Sequence, residues 1–172
     1  NTDGIGFSLM LENNGVDVSG KKVLVLGAGG AGRSVVKKLL DAGAEVQLFD
    51  LKRENAAAVC GEFTGARLAE KVEAEPRYMI VNVTGVGMHK TEGVSPVGEE
   101  ILKTCEVAVD LIYYPRKSEF LRIAESLGKK IVNGEGMLFY QAYYADCIYL
   151  NRQPRAVEAK ELFEKYTEEY AR

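Results

Sequence analysis

The chain of 172 residues has no tryptophan, one histidine, three cysteines and four prolines, and it lacks any apolar run approaching the ~20 residues of a membrane-spanning helix. Each scarcity removes a class of function. Cys60, Cys105 and Cys147 are odd in number, widely spaced and in no C-x-x-C, as expected of reduced cytoplasmic thiols that serve as small core or surface residues. His89, alone in a Met-His-Lys loop without an acidic orienter, reads as an exposed side chain rather than a general base, and no metal site is expected. A net charge of -3 without basic clusters argues against nucleic acid or an anionic membrane as partner. No signal peptide is evident, and a start at Asn1 rather than Met is expected of a fragment or a processed product.

What remains is an ordinary globular composition, 47% hydrophobic and 27% charged, in a length that suits one domain over residues 1–172. The most informative segment is KKVLVLGAGGAG, in which the apolar strand Val23 to Leu26 runs into glycines at 27, 29 and 32. Gly27 suits a tight strand-to-helix turn, Gly29 the close approach of backbone to a pyrophosphate, and Gly32 close packing of helix on strand. The pyrophosphate would sit on the helix's first N–H groups, so Gly27, Ala28, Gly29, Gly30, Ala31 and Gly32 form the candidate cofactor turn. A second strand, Glu45 to Phe49, ends in Asp50, about 20 residues on, where a ribose-binding carboxylate is expected.

Element by element the pattern is α/β. A short helix carrying Ile5, Leu9 and Met10 precedes the first strand, and the Asn13-Asn14-Gly15 turn ends it. Helices are expected over 30–42, 53–63, 98–103, 119–127, 137–150 and 157–170. Strands are expected at 23–26, 46–49, 66–68, 79–83, 107–111 and 130–132. The alternation predicts a Rossmann-like doubly wound parallel sheet with helices on both faces and additional C-terminal helices. In the last of these, Leu162, Phe163 and Tyr166 are expected to turn inward. The loop Thr84, Gly85, Val86, Gly87 follows a buried strand at its carboxyl end, which makes it a candidate for the nicotinamide half of a cofactor.

Several motifs in order resemble the nucleotide-binding domain of the shikimate dehydrogenase family: NTDGIGF at 1–7, VLVLGAGGAG, VNVTGVGM at 81–88, DLIYYP at 110–115 and NGEGMLFYQA at 133–142. The resemblance covers nearly the whole chain. It implies reversible hydride transfer between NAD(P)H and 3-dehydroshikimate, in aromatic amino-acid biosynthesis, in a cleft between this domain and an N-terminal substrate domain that is absent here. It also implies roles for individual residues. Asp3 matches a catalytic Asp whose Lys partner belongs to the absent domain; a proton donor is needed near the nascent alkoxide. From its position alone Asp3 would cap a helix beginning near Gly4. Tyr113 and Gln141 match substrate-binding residues, and Gly136 and Met137 match residues flanking the nicotinamide, although Met137 suits core packing equally. By this resemblance the domain needs the substrate domain before it can act on shikimate or 3-dehydroshikimate. Three other readings remain: quinate dehydrogenase, another Rossmann oxidoreductase such as a glutamyl-tRNA reductase or methylene-tetrahydrofolate dehydrogenase, and a non-catalytic dinucleotide-sensing module.

The cofactor is the point of departure from the family, which usually carries N-R-T after the second strand for the 2′-phosphate of NADP. Here the aligned residues are Asp50, Leu51 and Lys52. A carboxylate accepts a hydrogen bond from a free 2′-hydroxyl and repels a 2′-phosphate, so Asp50 favours NAD. Lys52 and Arg53 stand within reach of a phosphate, which keeps NADP open, although the same pair suits a solvated helix start.

Overall fold

The computed structural model describes residues 1–170. Strands β1 (Lys22–Leu26), β2 (Glu45–Phe49), β3 (Arg67–Leu68), β4 (Met79–Asn82), β5 (Val107–Asp110) and β6 (Lys130–Asn133) form one sheet in the order β3-β2-β1-β4-β5-β6, with every pairing parallel. The strands owe this arrangement to side chains that are apolar on both faces. Val23, Val25, Met79, Val81, Val107 and Val109 enter one core cluster, whereas Leu24, Leu26, Ile80 and Ala108 enter the other. The strand order reverses between β1 and β4, and open α/β sheets bind ligands beyond the carboxyl ends at such a point.

Seven α-helices cover the sheet within the described residues: α1 (Thr2–Asn13), α2 (Gly30–Asp41), α3 (Arg53–Glu62), α4 (Glu99–Leu102), α5 (Glu119–Ser126), α6 (Glu135–Tyr149) and α7 (Ala156–Tyr170). Residues of α1, α2, α3, α6 and α7 share the first core cluster, and those of α4 and α5 share the second. Both faces are therefore covered, as the sequence pattern predicts. No described helix is long and apolar enough to cross a membrane.

The helix before β1 is longer than its spacing of apolar residues suggests and has a structural role of its own. Asn1, not Asp3, caps it: the Asn1 Oδ1 accepts from the Gly4 N–H at 3.3 Å. Asp3 lies inside the first turn, where a carboxylate suits the positive end of the helix dipole. Packing of α1 on α6 is close because Gly6 has no side chain. A Cβ there would lie 2.5 Å from the Met137 carbonyl oxygen and 2.9 Å from the Gln141 nitrogen. The C-terminal helix is attached by aromatic contacts, Phe139 with Phe163 and Tyr166 at centroid separations of 5.2 and 5.5 Å. Leu162, expected to face inward, is exposed; Phe163 and Tyr166 take the inner face.

Gly6→Ala tests the helix contact. Alanine ordinarily favours a helix by about 1 kcal/mol over glycine. Here the new methyl meets backbone that cannot rotate away, so a net loss of about 1–3 kcal/mol is expected. Thermal unfolding should show a midpoint lowered by about 2–4 °C per kcal/mol; an unchanged or raised midpoint would mean that the α1–α6 spacing is not fixed by Gly6.

Candidate active site

At the carboxyl end of β1 the chain turns on Gly27, whose φ of +107° lies in the region that favours glycine. A Cβ on Gly27 would lie 3.0 Å from the Thr84 Cγ2, so this glycine also lets the β1 and β4 loops touch. Gly32 brings α2 down onto that turn, since its Cβ would stand 2.2 Å from the Gly27 carbonyl oxygen. Gly29 and Gly30 differ: both are exposed, with open space around them. Gly29 is the N-cap of α2 and supplies no side-chain cap, so the helix's first N–H groups are available to an anion. Ala28 and Ala31 complete the turn. A dinucleotide pyrophosphate fits this cradle, because the two positions that would contact it carry no Cβ.

Asp50 follows β2 and closes the turn from the side. Its Oδ2 accepts from the Ala28 N–H at 2.7 Å and its Oδ1 from the Lys52 N–H at 2.8 Å. A carboxylate offers about four acceptor positions, so about two remain for ribose hydroxyls. Leu51 is 90% exposed beside it. Arg53 forks onto Glu70, with both nitrogen–oxygen distances 2.7 Å. Both partners of this pair are largely exposed, and opening such a pair costs about 0–1 kcal/mol.

Four strands end in the same device. Asp50, Asn82, Asp110 and Asn133 each accept, through a side-chain oxygen, the backbone N–H two residues on: Lys52, Thr84, Ile112 and Glu135 at 2.8, 3.0, 3.0 and 3.2 Å. These are Asx turns. Of the four, only Asp50 carries a role in the sequence reading; Asn82, Asp110 and Asn133 lie within the motifs quoted for the resemblance without a role of their own, although an Asp or Asn closing an apolar strand is a legible signal. Asn82 and Asp110 are fully buried and bond across the sheet, the Asn82 Nδ2 donating to the Asp110 Oδ1 at 3.0 Å. The Thr84 hydroxyl donates to the Asn82 Oδ1 at 2.6 Å and accepts from the Val86 N–H at 3.1 Å, which shapes the Thr84-Gly85-Val86 loop.

Beyond these loops lies a cleft of about 250 Å3 lined by Asp3, Ala31, Tyr113, Met137, Leu138 and Gln141, among others. Three sequence-distant candidates, Asp3, Tyr113 and Gln141, thus meet beside Ala31 of the glycine turn. Gly134 allows this, because a Cβ there would be 2.0 Å from the Leu111 carbonyl oxygen, so α6 starts against the Tyr113 loop. Tyr113 is half exposed, and the Gln141 Nε2 donates to the Leu138 carbonyl oxygen at 3.1 Å. Met137 lines the cleft, while Gly136 is buried where a Cβ would meet Met10 at 3.1 Å and Phe163 at 3.7 Å. His89 is exposed, in a 3-10 turn. A larger hollow of about 450 Å3 between α1 and α2, with Phe7, Leu11 and Val16 in its wall, holds none of the candidate residues. Among the described residues, no cluster of His, Cys, Asp and Glu could hold a metal ion.

Burial pushes the Asp110 carboxyl up to about 6 from its ordinary 3.8, against the pull of Ser118, the Ile112 N–H and Asn82. Because the folded value is raised, the protonated form is the one that favours folding. Its contribution is complete below about pH 4 and is lost as pH rises through about 6, a change of up to about 3 kcal/mol. Asp110→Asn, neutral at every pH, keeps one oxygen for Asn82 and Ile112 and donates to the Ser118 oxygen instead. In urea titrations the stability difference between variant and parent should move by up to about 3 kcal/mol in the variant's favour from pH 4 to 7.5. A constant difference would show that Asp110 does not titrate there.

With this geometry established, comparisons identify its relatives. A family described as putative NAD(P)-binding matches residues 15–105, more than half of the chain. The shikimate dehydrogenase (NADP(+)) of Carboxydothermus hydrogenoformans is 39% identical over 154 residues, 84% of this chain and 55% of that protein. A chorismate mutase/shikimate 5-dehydrogenase fusion protein from Clostridium acetobutylicum superposes with a TM-score of 0.88 at 34% identity, covering 100% of this chain and 63% of the other. Shikimate 5-dehydrogenase from Listeria monocytogenes, in complex with shikimate and NAD, gives 0.76 at 28% identity over 94% of this chain and 62% of that one. The chain spans little more than half the length of the curated relative quoted. The matches cover the glycine turn, the sheet and the helices that bound the cleft, and by them the chain belongs to the shikimate dehydrogenase family, of which it carries an NAD(P)-binding domain.

Proposed function

We propose that this domain binds NAD at least as tightly as NADP and serves reversible hydride transfer between the nicotinamide and 3-dehydroshikimate, or the corresponding quinate chemistry. The observation that carries this reading is the cleft in which Asp3, Tyr113 and Gln141 face the same space as Ala31 of the dinucleotide turn. The bound cofactor would supply or accept the hydride; the chain's residues do the rest. Gly29, Gly30 and the first turn of α2 hold the pyrophosphate, and Thr84, Gly85, Val86 and Met137 border the nicotinamide half. The Gln141 amide donates to Leu138, which leaves its oxygen to accept from a substrate hydroxyl, and the Tyr113 hydroxyl stands ready for another. Asp3 orients the lysine proton donor that the family resemblance assigns to the part of the relatives this chain does not span. Free thiols at Cys60, Cys105 and Cys147 suit a cytoplasmic setting.

Magnitudes favour NAD. A 2′-phosphate placed about 4 Å from the Asp50 carboxylate meets a repulsion of about 4 kcal/mol per unit charge at a surface-like dielectric. Releasing Arg53 from Glu70 to meet that phosphate offsets only part of it, since one exposed ion pair replaces another. Relatives are named for NADP(+) and crystallised with NAD, so the preference rests on Asp50 rather than on the fold.

Calorimetric titration with each dinucleotide tests this reading. NAD should bind at least as tightly as NADP, and Asp50→Ala should weaken NAD by about tenfold to a hundredfold, as loss of a charge-assisted hydrogen bond does. NADP serves as the internal control: collapse of the Ala28 turn would weaken both alike, whereas a ribose role weakens NAD selectively. Unchanged NAD affinity removes Asp50 from the site. Joined to the portion of the relatives it does not span, the domain should oxidise shikimate or quinate. Asp3→Asn should then lower kcat by about a hundredfold or more; an unaffected kcat would exclude Asp3 from proton transfer.

A further inference from the structure

The loops after β4 and β5 border different halves of the proposed site, Thr84–Gly87 the nicotinamide and Ile112–Tyr113 the substrate. They meet at one side chain that touches neither ligand position. Asp110 has no solvent exposure. Its Oδ1 accepts from the Ile112 N–H and the Asn82 Nδ2, both at 3.0 Å, and its Oδ2 accepts from the Ser118 hydroxyl. Asn82 passes that constraint to the other loop: its Nδ2 also donates to the Val86 carbonyl oxygen at 3.2 Å, and its Oδ1 receives the Thr84 N–H and hydroxyl. The loops also touch behind this network, since a Cβ on Gly87 would lie 3.2 Å from the Ile112 Cδ1 and 3.5 Å from the Ser118 Cβ. Thr91 makes a separate tie at the far end of the first loop, to the Gly85 carbonyl and the Gly87 N–H.

Packing alone does not call for a carboxyl group at this position. The preceding residues of β5 are Val107, Ala108 and Val109, and a buried acid carries a desolvation cost that an aliphatic side chain avoids. What the acid adds is acceptors for the Asn82 amide at the end of β4, which itself holds the Thr84–Val86 loop, and for the Ile112 N–H and Ser118 hydroxyl of the connection after β5. We propose that Asp110 is a positioning residue, one carboxyl group that sets the Thr84–Gly87 and Ile112–Tyr113 loops relative to each other so that the cofactor and substrate sides of the cleft keep a fixed register. The loop roles rest on the proposed function; the coupling rests on the hydrogen bonds.

Amide hydrogen exchange of the whole chain, followed by NMR without added dinucleotide, reads the coupling directly. Asp110→Val fills the buried volume without an acceptor, Asp110→Ala removes both, and Asp110→Asn keeps an acceptor. Exchange at Thr84, Val86 and Ile112 should rise by about tenfold or more in the Val and Ala variants. Val25 and Val81, in the middle of the sheet, should keep their protection, and Asp110→Asn should restore all three loop amides. NAD affinity should fall in the Val and Ala variants and recover in the Asn variant. The proposal is overturned if only one loop loosens, if the sheet loosens equally, if Asn fails to restore the loops, or if neither apolar variant folds. Should the parent bind neither dinucleotide, the functional reading fails while the exchange data still decide the coupling.

Discussion

Helix α2 rests on the turn after β1 with no room for a methyl group between them: the position of a Gly32 Cβ is 2.2 Å from the Gly27 carbonyl oxygen. That contact sets how near the helix's positive end comes to the switch point of the sheet, and so where a phosphate can be held. The rest of the site is arranged around it. Thr84 packs on Gly27 from the β4 loop, and Asp50 reaches the Ala28 N–H from β2. Ala31, one residue before the contact, becomes part of the wall that Asp3, Tyr113 and Gln141 complete.

A parallel sheet buried on both faces leaves its central strands no polar side chains along their length, and its polar chemistry is displaced to the strand ends. Here this displacement is systematic. At the ends of β2, β4, β5 and β6 an Asp or Asn turns the chain by accepting the N–H two residues on. At β2 the carboxylate is half-buried and retains acceptor capacity for a ribose. At β4 and β5 the residues are fully buried and spend that capacity on each other and on the loops. One local device therefore yields a ligand-facing group in one place and a scaffold in another, and burial decides which.

The β1–α2 turn was legible because its requirements are local: three glycines, a preceding apolar strand and an acid at the end of the next strand. The parallel, doubly wound character of the sheet also followed from the alternation of elements, whereas its strand order came only with the structure. The Asn82–Asp110 bond joins residues 28 apart and depends on β4 and β5 being neighbours, which no local pattern states. The length of α1 was underestimated for a related reason. It is held between α2 and α6 through Gly4 and Gly6, whose Cβ positions would meet Lys38 at 2.9 Å and the Met137 carbonyl oxygen at 2.5 Å. A stripe of apolar side chains underreports contacts made by bare backbone. The capping role went to Asn1 rather than Asp3 because the helix begins two residues before Gly4, and this leaves the Asp3 carboxyl group to the cleft.

The two glycines that contact only solvent and the residues that follow β2 differ in kind from the rest of the turn. Gly27 and Gly32 are closed to variation by their neighbours, but Asp50, Leu51, Lys52 and Arg53 stand on the rim, and Leu51 and the two cations are exposed. Evolution can therefore rewrite the nucleotide preference of such a domain through a handful of rim substitutions at small cost to folding, whereas the Gly27–Gly32 contact beneath the phosphate cradle has almost no neutral neighbours in sequence space. Descendants of one ancestor would be expected to diverge in the coenzyme they draw on long before they diverge in the turn that grips it.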